Sequence, residues 1–119
     1  VSTIYDLHCH SDQSDGILSP EALVSRAKAQ TVDVLALTDH DTLNGWRRAH
    51  QRAAHEHLTL ICGVEFSSQW NGRGGHIVGL AIEPNASVIR DAVEYQLRIR
   101  FQRAELIAHK LEKMGVSGA

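Results

Sequence analysis

The chain repeatedly sets a residue able to bind a metal ion at the edge of an apolar run, and that habit limits its folds more than any other feature. Asp6-Leu7-His8-Cys9-His10-Ser11 stands near the start. Ser14-Asp15-Gly16, Thr38-Asp39-His40-Asp41, Gly63-Val64-Glu65-Phe66 and Gly74-Gly75-His76 follow. A β-strand turns alternate side chains to opposite faces, so His8 and His10 share a face and Cys9 takes the other. A histidine pair standing alone has an ordinary structural explanation. Here ligand-type residues recur at the edge of one apolar segment after another, and the repetition points to a metal centre.

The segments between those residues alternate between strand and helix patterns. Residues 3–9 are β-branched, aromatic and alternating, as in a strand that carries its ligands at the C-terminal end. Ser19-Pro20 offers a cap residue followed by proline at the first helical position, which predicts a helix to about Gln30. Val32 to Leu37 is a nearly continuous apolar run, expected of a strand buried on both faces of a parallel sheet. Asn44-Gly45 predicts the cap of a second helix to about Glu56, with Trp46, Ala49, Ala53 and Ala54 at helical spacing. Leu58 to Phe66 then forms a third strand. This alternation predicts right-handed βα units in a parallel α/β barrel or open sheet.

The next segment breaks the rhythm. His76 to Ile82 reads as a fourth strand, but too few residues separate it from Phe66 for a helical crossover. A hairpin is forced, and it brings His76, at the start of its strand, beside Glu65, near the end of the preceding one. From Ser87 to Met114 the apolar positions Ile89, Val93, Leu97, Phe101, Leu106, Ile107, Leu111 and Met114 follow the helical period with one slip, and Gly115 ends the helix. Arg98, Arg100 and Arg103 in its middle read as a solvated face paired with Glu94 and Glu105.

With 119 residues, 43% of them hydrophobic and 22% charged, the composition is that of one soluble globular domain. A net charge of -2 gives no general electrostatic case for nucleic acid or an anionic membrane, so any phosphate affinity must be local. No run approaches the roughly 18–20 apolar residues of a membrane span, and no basic region followed by an apolar core opens the chain. Cys9 and Cys62, far apart and each inside an apolar run, read as buried free thiols, with the cytoplasm as the default compartment.

His8, His10, Asp15, His40, Glu65 and His76 thus gather from strand ends and one loop at the sheet edge where α/β folds build their sites. Imidazole mixed with carboxylate favours Zn²⁺, Mn²⁺ or iron over Ca²⁺ or Mg²⁺, and the set lacks the thiolates of a closed structural zinc site. One ion rarely takes so many ligands and a water, so two or more ions with Glu65 as their bridge is the economical reading. Ions about 3.5–4 Å apart lower the pKa of a bound water towards about 7 and clamp the oxygens of an in-line displacement, which suits phosphoester hydrolysis. Asp6, predicted on the face of His8 and His10, could orient an imidazole or make a polar contact in the core. Asp41 could orient His40 or cap a helix N-terminus. Arg73, in the Gly-rich stretch 71–75, could reach a substrate phosphate. His50, His55, His57 and His109 read as surface residues.

Asp6-Leu-His-Cys-His-Ser-x-x-Ser-Asp-Gly16, Thr38-Asp-His-Asp41, Gly63-Val-Glu65 and Gly75-His76 resemble the first motifs of the PHP (polymerase and histidinol phosphatase) superfamily, in family order. The resemblance implies an α/β fold, a distorted seven-stranded (β/α) barrel of which this chain supplies about the first four strands. Residues 1–119 would be the N-terminal portion of that single domain. It implies two or three divalent metal ions per complete domain, Mn²⁺ first and Zn²⁺ or Fe²⁺ as alternatives. By resemblance the ligands are His8, His10, Asp15, His40, Glu65 and His76, with no catalytic residue assigned beyond them.

Within the superfamily the chain looks most like bacterial enzymes that remove the 3′-phosphate from nucleoside 3′,5′-bisphosphates, some of them 5′→3′ exonucleases on short RNA. The implied partner is a small phosphorylated nucleotide or short RNA, with neither a membrane nor an obligate protein partner. Histidinol-phosphate hydrolysis, a polymerase-associated module and a non-catalytic metal-binding scaffold are the alternatives. The family's further ligands, a histidine and a late Asp-x-His pair, find no match after His76, and four strands leave open sheet edges. The chain is therefore expected to be part of a larger protein and, alone, to bind metal weakly.

Overall fold

Three parallel strands and one antiparallel strand form a single sheet in the computed structural model, which describes residues 2–118. The elements run β1 (Tyr5–Cys9), α1 (Pro20–Ala29), β2 (Val34–Leu37), α2 (Trp46–His55), β3 (Thr59–Trp70), β4 (Arg73–Leu80) and α3 (Ser87–Lys113). The strands lie in the order β1-β2-β3-β4; β1, β2 and β3 are parallel and β4 returns antiparallel to β3. This is the α/β arrangement expected from the alternation of patterns, with β1 and β4 as the two edges.

The first helix begins where the sequence places its cap. Ser19 Oγ accepts from Ala22 N at 3.2 Å, Pro20 follows in the first turn, and Arg26 and Lys28 occupy the last turn, where the helix dipole favours cations. α2 starts instead from Gly45 without a side-chain cap, and Asn44 plays no capping role. Both helices cover one face of the sheet. Val24, Leu35, Leu37, Ala49, Ala53 and Leu58 form the core between them, with Cys9, Leu23 and Leu60 at its margin. Ala49 and Ala53, one turn apart and fully buried, give α2 a flat face on the sheet. Cys9 and Cys62 are both free, and burial pushes the Cys9 thiol up to about 12 and the Cys62 thiol up to about 11. Neither is a reactive thiolate.

Two departures from the sequence reading matter for the site. The first lies in β1, where Tyr5 and Asp6 pair with Val34 and Leu35, yet Cys9 pairs with Leu37. One extra residue of β1 is accommodated, a bulge, and it breaks the simple alternation. Asp6 therefore falls on the face of Cys9, and its charge contributes to raising that thiol, while His8 and His10 face the other way. The second is the hairpin. β3 and β4 are longer than expected, and they meet through Asn71 (φ 48°) and Gly72 (φ 76°), the left-handed pair of a tight two-residue turn. Arg73 is the first residue of β4, paired with Trp70 at the hairpin tip, and not part of a flexible glycine loop.

α3 has the predicted extent and ends in Gly115 at φ 86°, but none of its residues is buried. Its stripe of Leu97, Phe101, Leu106, Ile107 and Met114 is exposed. No helix of the described residues is long and apolar enough to cross a membrane.

Leu35 is 1% exposed at the centre of the core. Leu35→Ala is expected to lower unfolding stability by about 2–5 kcal/mol, read as a drop in the urea midpoint at unchanged slope.

Candidate metal centre

The centre is built where the parallel strands end. β1 delivers His8 and His10; beyond β2, His40 bridges to Glu65 of β3 in parallel register, with Glu65 N donating to Asp39 O and Asp41 N to Glu65 O, each at 3.1 Å. Across the hairpin, His76 stands opposite Ser67, so Glu65, two residues before Ser67, lies on its face and one step along the strand. The hairpin thus does what the sequence required of it. Asp15 arrives on the loop after β1, which folds back so that Ser14 N and Gly16 N both donate to Ser11 O. A Cβ on Gly16 would lie 2.2 Å from His10 O, so only glycine permits this close return.

All the predicted ligand residues converge. His8 Nε2 and His10 Nε2 each lie 2.8 Å from Glu65 Oε2, His40 Nε2 is 3.7 Å from the same oxygen, and His76 Nδ1 is 3.8 Å from Oε1. His10 Nδ1 meets Asp15 Oδ1 at 2.6 Å, and His40 Nε2 is 3.5 Å from Asp15 Oδ2. The imidazoles form a row, with centroid separations of 5.1 Å between His8 and His10, 4.5 Å between His10 and His40, and 4.7 Å between His40 and His76. Burial alone would raise the Glu65 carboxyl, but the His8 hydrogen bond and the surrounding imidazoles bring it below the usual carboxylate range. The His10 hydrogen bond does the same for Asp15.

Hydrogen bonding does not account for this arrangement. Among the described residues, His10 Nε2 and His40 Nδ1 are buried without a hydrogen-bond partner, the former despite its 2.8 Å approach to Glu65. Buried imidazole nitrogens without partners are unfavourable in a protein that leaves them so. His8, His10 and Glu65 on one side, and His10, Asp15 and His40 on the other, each bring ligand atoms within 4.8 Å of one another. These residues could hold metal ions, and their nitrogen and oxygen donors fit a transition metal such as Mn²⁺, Fe²⁺ or Zn²⁺.

The sequence pattern of the PHP domain matches residues 6–111. The chain belongs to the PHP domain family. A 5′-3′ exoribonuclease of Haemophilus influenzae is 50% identical over 115 residues, which span 97% of this chain and 42% of that protein. A 3′,5′-nucleoside bisphosphate phosphatase of Chromobacterium violaceum is 38% identical over 95% of the chain and 40% of its own length. Among solved structures, an amidohydrolase from Chromobacterium violaceum, with sulfate bound and no metal, superposes with a TM-score of 0.86 at 38% identity, over 96% of this chain and 40% of that one. A Bifidobacterium adolescentis protein to which metal-dependent phosphoesterase activity is ascribed superposes with a TM-score of 0.84 at 26% identity, again over 40% of its chain. This PHP chain spans about two-fifths of the length of the relatives it matches.

Other expectations change on inspection of this PHP site. Among the described residues Asp6 orients no imidazole and accepts only from His8 N, at 3.4 Å, because the bulge turns it away. Asp41 neither touches the His40 ring nor caps a helix. Its buried carboxylate accepts from Ser67 N at 2.7 Å, Ser67 Oγ at 2.6 Å and Arg100 Nε at 2.8 Å, and these donors outweigh burial to keep it below the usual carboxylate range. Arg100, still half exposed, is thereby paired with Asp41 and not with Glu94 or Glu105. Arg73, at the hairpin tip, is absent from the cavity that Asp15, His40 and His76 line. His50, His55, His57 and His109 are exposed, as read from the sequence.

Asp39 is the residue that sequence reasoning passed over. It is 1% exposed and accepts from Ser11 N at 2.6 Å, Ser11 Oγ at 2.7 Å and Ser14 Oγ at 2.8 Å, bracing the loop that carries Asp15. The available signal was a carboxylate directly before His40, with two serines, Ser11 and Ser14, just after His10. Asp39→Ala leaves these donors without their acceptor, and a loss of about 3 kcal/mol is expected, measured by thermal unfolding.

Proposed function

We propose that this chain supplies the metal-binding half of a phosphoesterase that hydrolyses small nucleotide phosphates. The substrate we favour is the 3′-phosphate of a nucleoside 3′,5′-bisphosphate, with 5′→3′ cleavage of short RNA as a related activity. The observation that carries the reading is one buried carboxylate, Glu65, facing four imidazoles while two of their buried nitrogens lack partners among the described residues. The relatives named as a 5′-3′ exoribonuclease and a 3′,5′-nucleoside bisphosphate phosphatase support the substrate class. The free thiols Cys9 and Cys62 suit a reducing compartment, the cytoplasm.

In this reading His8, His10 and Glu65 would hold one ion and His10, Asp15 and His40 a second, with Glu65 Oε1 and His76 adding to the set. Divalent ions held there, Mn²⁺ in our assignment, would supply a water acidified towards about pKa 7 and a clamp for phosphoryl oxygens. The protein contributes placement. Strand ends fix His8, His10, His40 and Glu65, and the braced loop fixes Asp15, so the ligands need little rearrangement to bind. The cavity beside them, about 480 Å³, accommodates a nucleotide-sized ligand.

The deciding experiment is release of phosphate by the full-length protein from a nucleoside 3′,5′-bisphosphate, with Mn²⁺ added and a chelator control. Chelator-sensitive release of the 3′-phosphate is expected; no release from folded, metal-loaded protein would reject the substrate assignment. Glu65→Ala is expected to lower kcat at least about a hundredfold while the circular dichroism spectrum stays native. Most of the activity surviving would refute a bridging carboxylate.

A further inference from the structure

Arg100 is the only arginine or lysine, among the described residues, that lines the cavity beside Asp15, His40 and His76. Its guanidinium is held from one side. Nε donates to Asp41 Oδ2 at 2.8 Å, and Nη2 lies 2.7 Å from the same oxygen. Asp41 is itself buried, its side chain 1% exposed and its carboxylate accepting from Ser67 N and Ser67 Oγ. The arginine is nevertheless 53% exposed along its side chain, and its Nη1 group has no acceptor among the described residues. A guanidinium carries five N–H donors in a rigid fork. One edge is tethered here, and the residue lines the cavity with donors to spare.

A strap fastening α3 to the sheet would explain the ion pair alone, but that fastening already exists. Gln96, one turn earlier on the same helix face, donates from Nε2 to Ser67 O at 2.8 Å. A neutral side chain thus suffices for the strap, whereas a guanidinium adds a fixed positive charge beside a metal centre. An arginine whose rotamer is already set loses little freedom on gripping a phosphate, and its fork matches phosphate oxygens in pairs.

We infer that Arg100 is a phosphate-binding residue of this site, tethered to Asp41 by one edge and offering the other to the phosphate of a substrate lying beside the metal ligands. The inference rests on the phosphoesterase reading and adds the residue that grips the anion from the protein side.

The test uses full-length wild-type, Arg100→Ala and Arg100→Lys proteins loaded with Mn²⁺. Inorganic phosphate binding is followed by calorimetry, KM and kcat are measured for a nucleoside 3′,5′-bisphosphate, and metal content and melting temperature are recorded for each. Arg100→Ala is expected to weaken phosphate binding by about tenfold or more and to raise KM in step, with metal content and melting temperature unchanged. Arg100→Lys keeps a charge but not the fork, and is expected to fall between the two. Phosphate affinity within twofold of wild type in both variants would overturn the inference, as would wild-type protein that binds no phosphate. A loss in Arg100→Ala that accompanies lost metal or a lowered melting temperature, with Arg100→Lys matching wild type for phosphate, would show a strap only and overturn it too. Wild-type protein that binds phosphate through Arg100 but hydrolyses no bisphosphate would sustain the inference and reject the proposed reaction.

Discussion

A buried carboxylate surrounded by imidazoles is the constraint on which the rest of this structure depends. Glu65 is 7% exposed, and removing its charge from water is unfavourable unless positive charge or donors replace the solvent. The chain supplies nitrogens from several segments, yet they crowd one another as much as they satisfy the carboxylate. His8 and His10 reach the same oxygen, and His40 lies 3.7 Å from it. Proteins keep such an arrangement where a cation completes it, because a shared cation turns mutually crowded donors into common ligands. The parallel sheet, the hairpin and the returning loop are the means by which distant residues reach that one carboxylate.

The short segment Thr38-Asp39-His40-Asp41 shows how the site is kept in shape. Only His40 turns to the centre. Thr38 donates from both N and Oγ1 to Cys9 O, joining β2 to the end of β1. Asp39 reaches one way, to Ser11 and Ser14, and Asp41 the other, to Ser67 and Arg100. Each is a buried charge with several donors, the condition under which a buried charge is tolerable. The two carboxylates brace the elements on either side of the histidine between them, so its ring is positioned from both flanks.

How much of this was legible in the sequence follows from the range of each interaction. Alternation and period are local, so the strands, the helices and the ligands at strand ends could be read from residue order. So could the hairpin, because the short connection after Phe66 left no room for a crossover. The bulge in β1 could not, since it is defined by pairing with β2: Asp6 looks like a companion of His8 until Leu35 and Leu37 fix the register. Nor could the partners of Asp39, Asp41 and Arg100. A contact between Arg100 and Asp41 bridges a separation of 59 residues, and nothing local marks one arginine of a basic helix as the one that turns inward.

The same strands carry two different burdens on their two faces. Toward α1 and α2 they present Cys9, Leu35 and Leu37, apolar contacts that stabilise the fold by removing hydrocarbon from water. Toward the centre they present imidazoles and carboxylates whose burial opposes folding wherever a partner is lacking, as at His10 Nε2 and His40 Nδ1. The helix-covered face must therefore stabilise what the other destabilises, and the bulge between Asp6 and Cys9 is where one strand is divided between the two tasks. A ligand that binds only the folded arrangement shifts this balance toward folding by mass action. An ion held at the centre would therefore link its occupancy to the stability of the sheet.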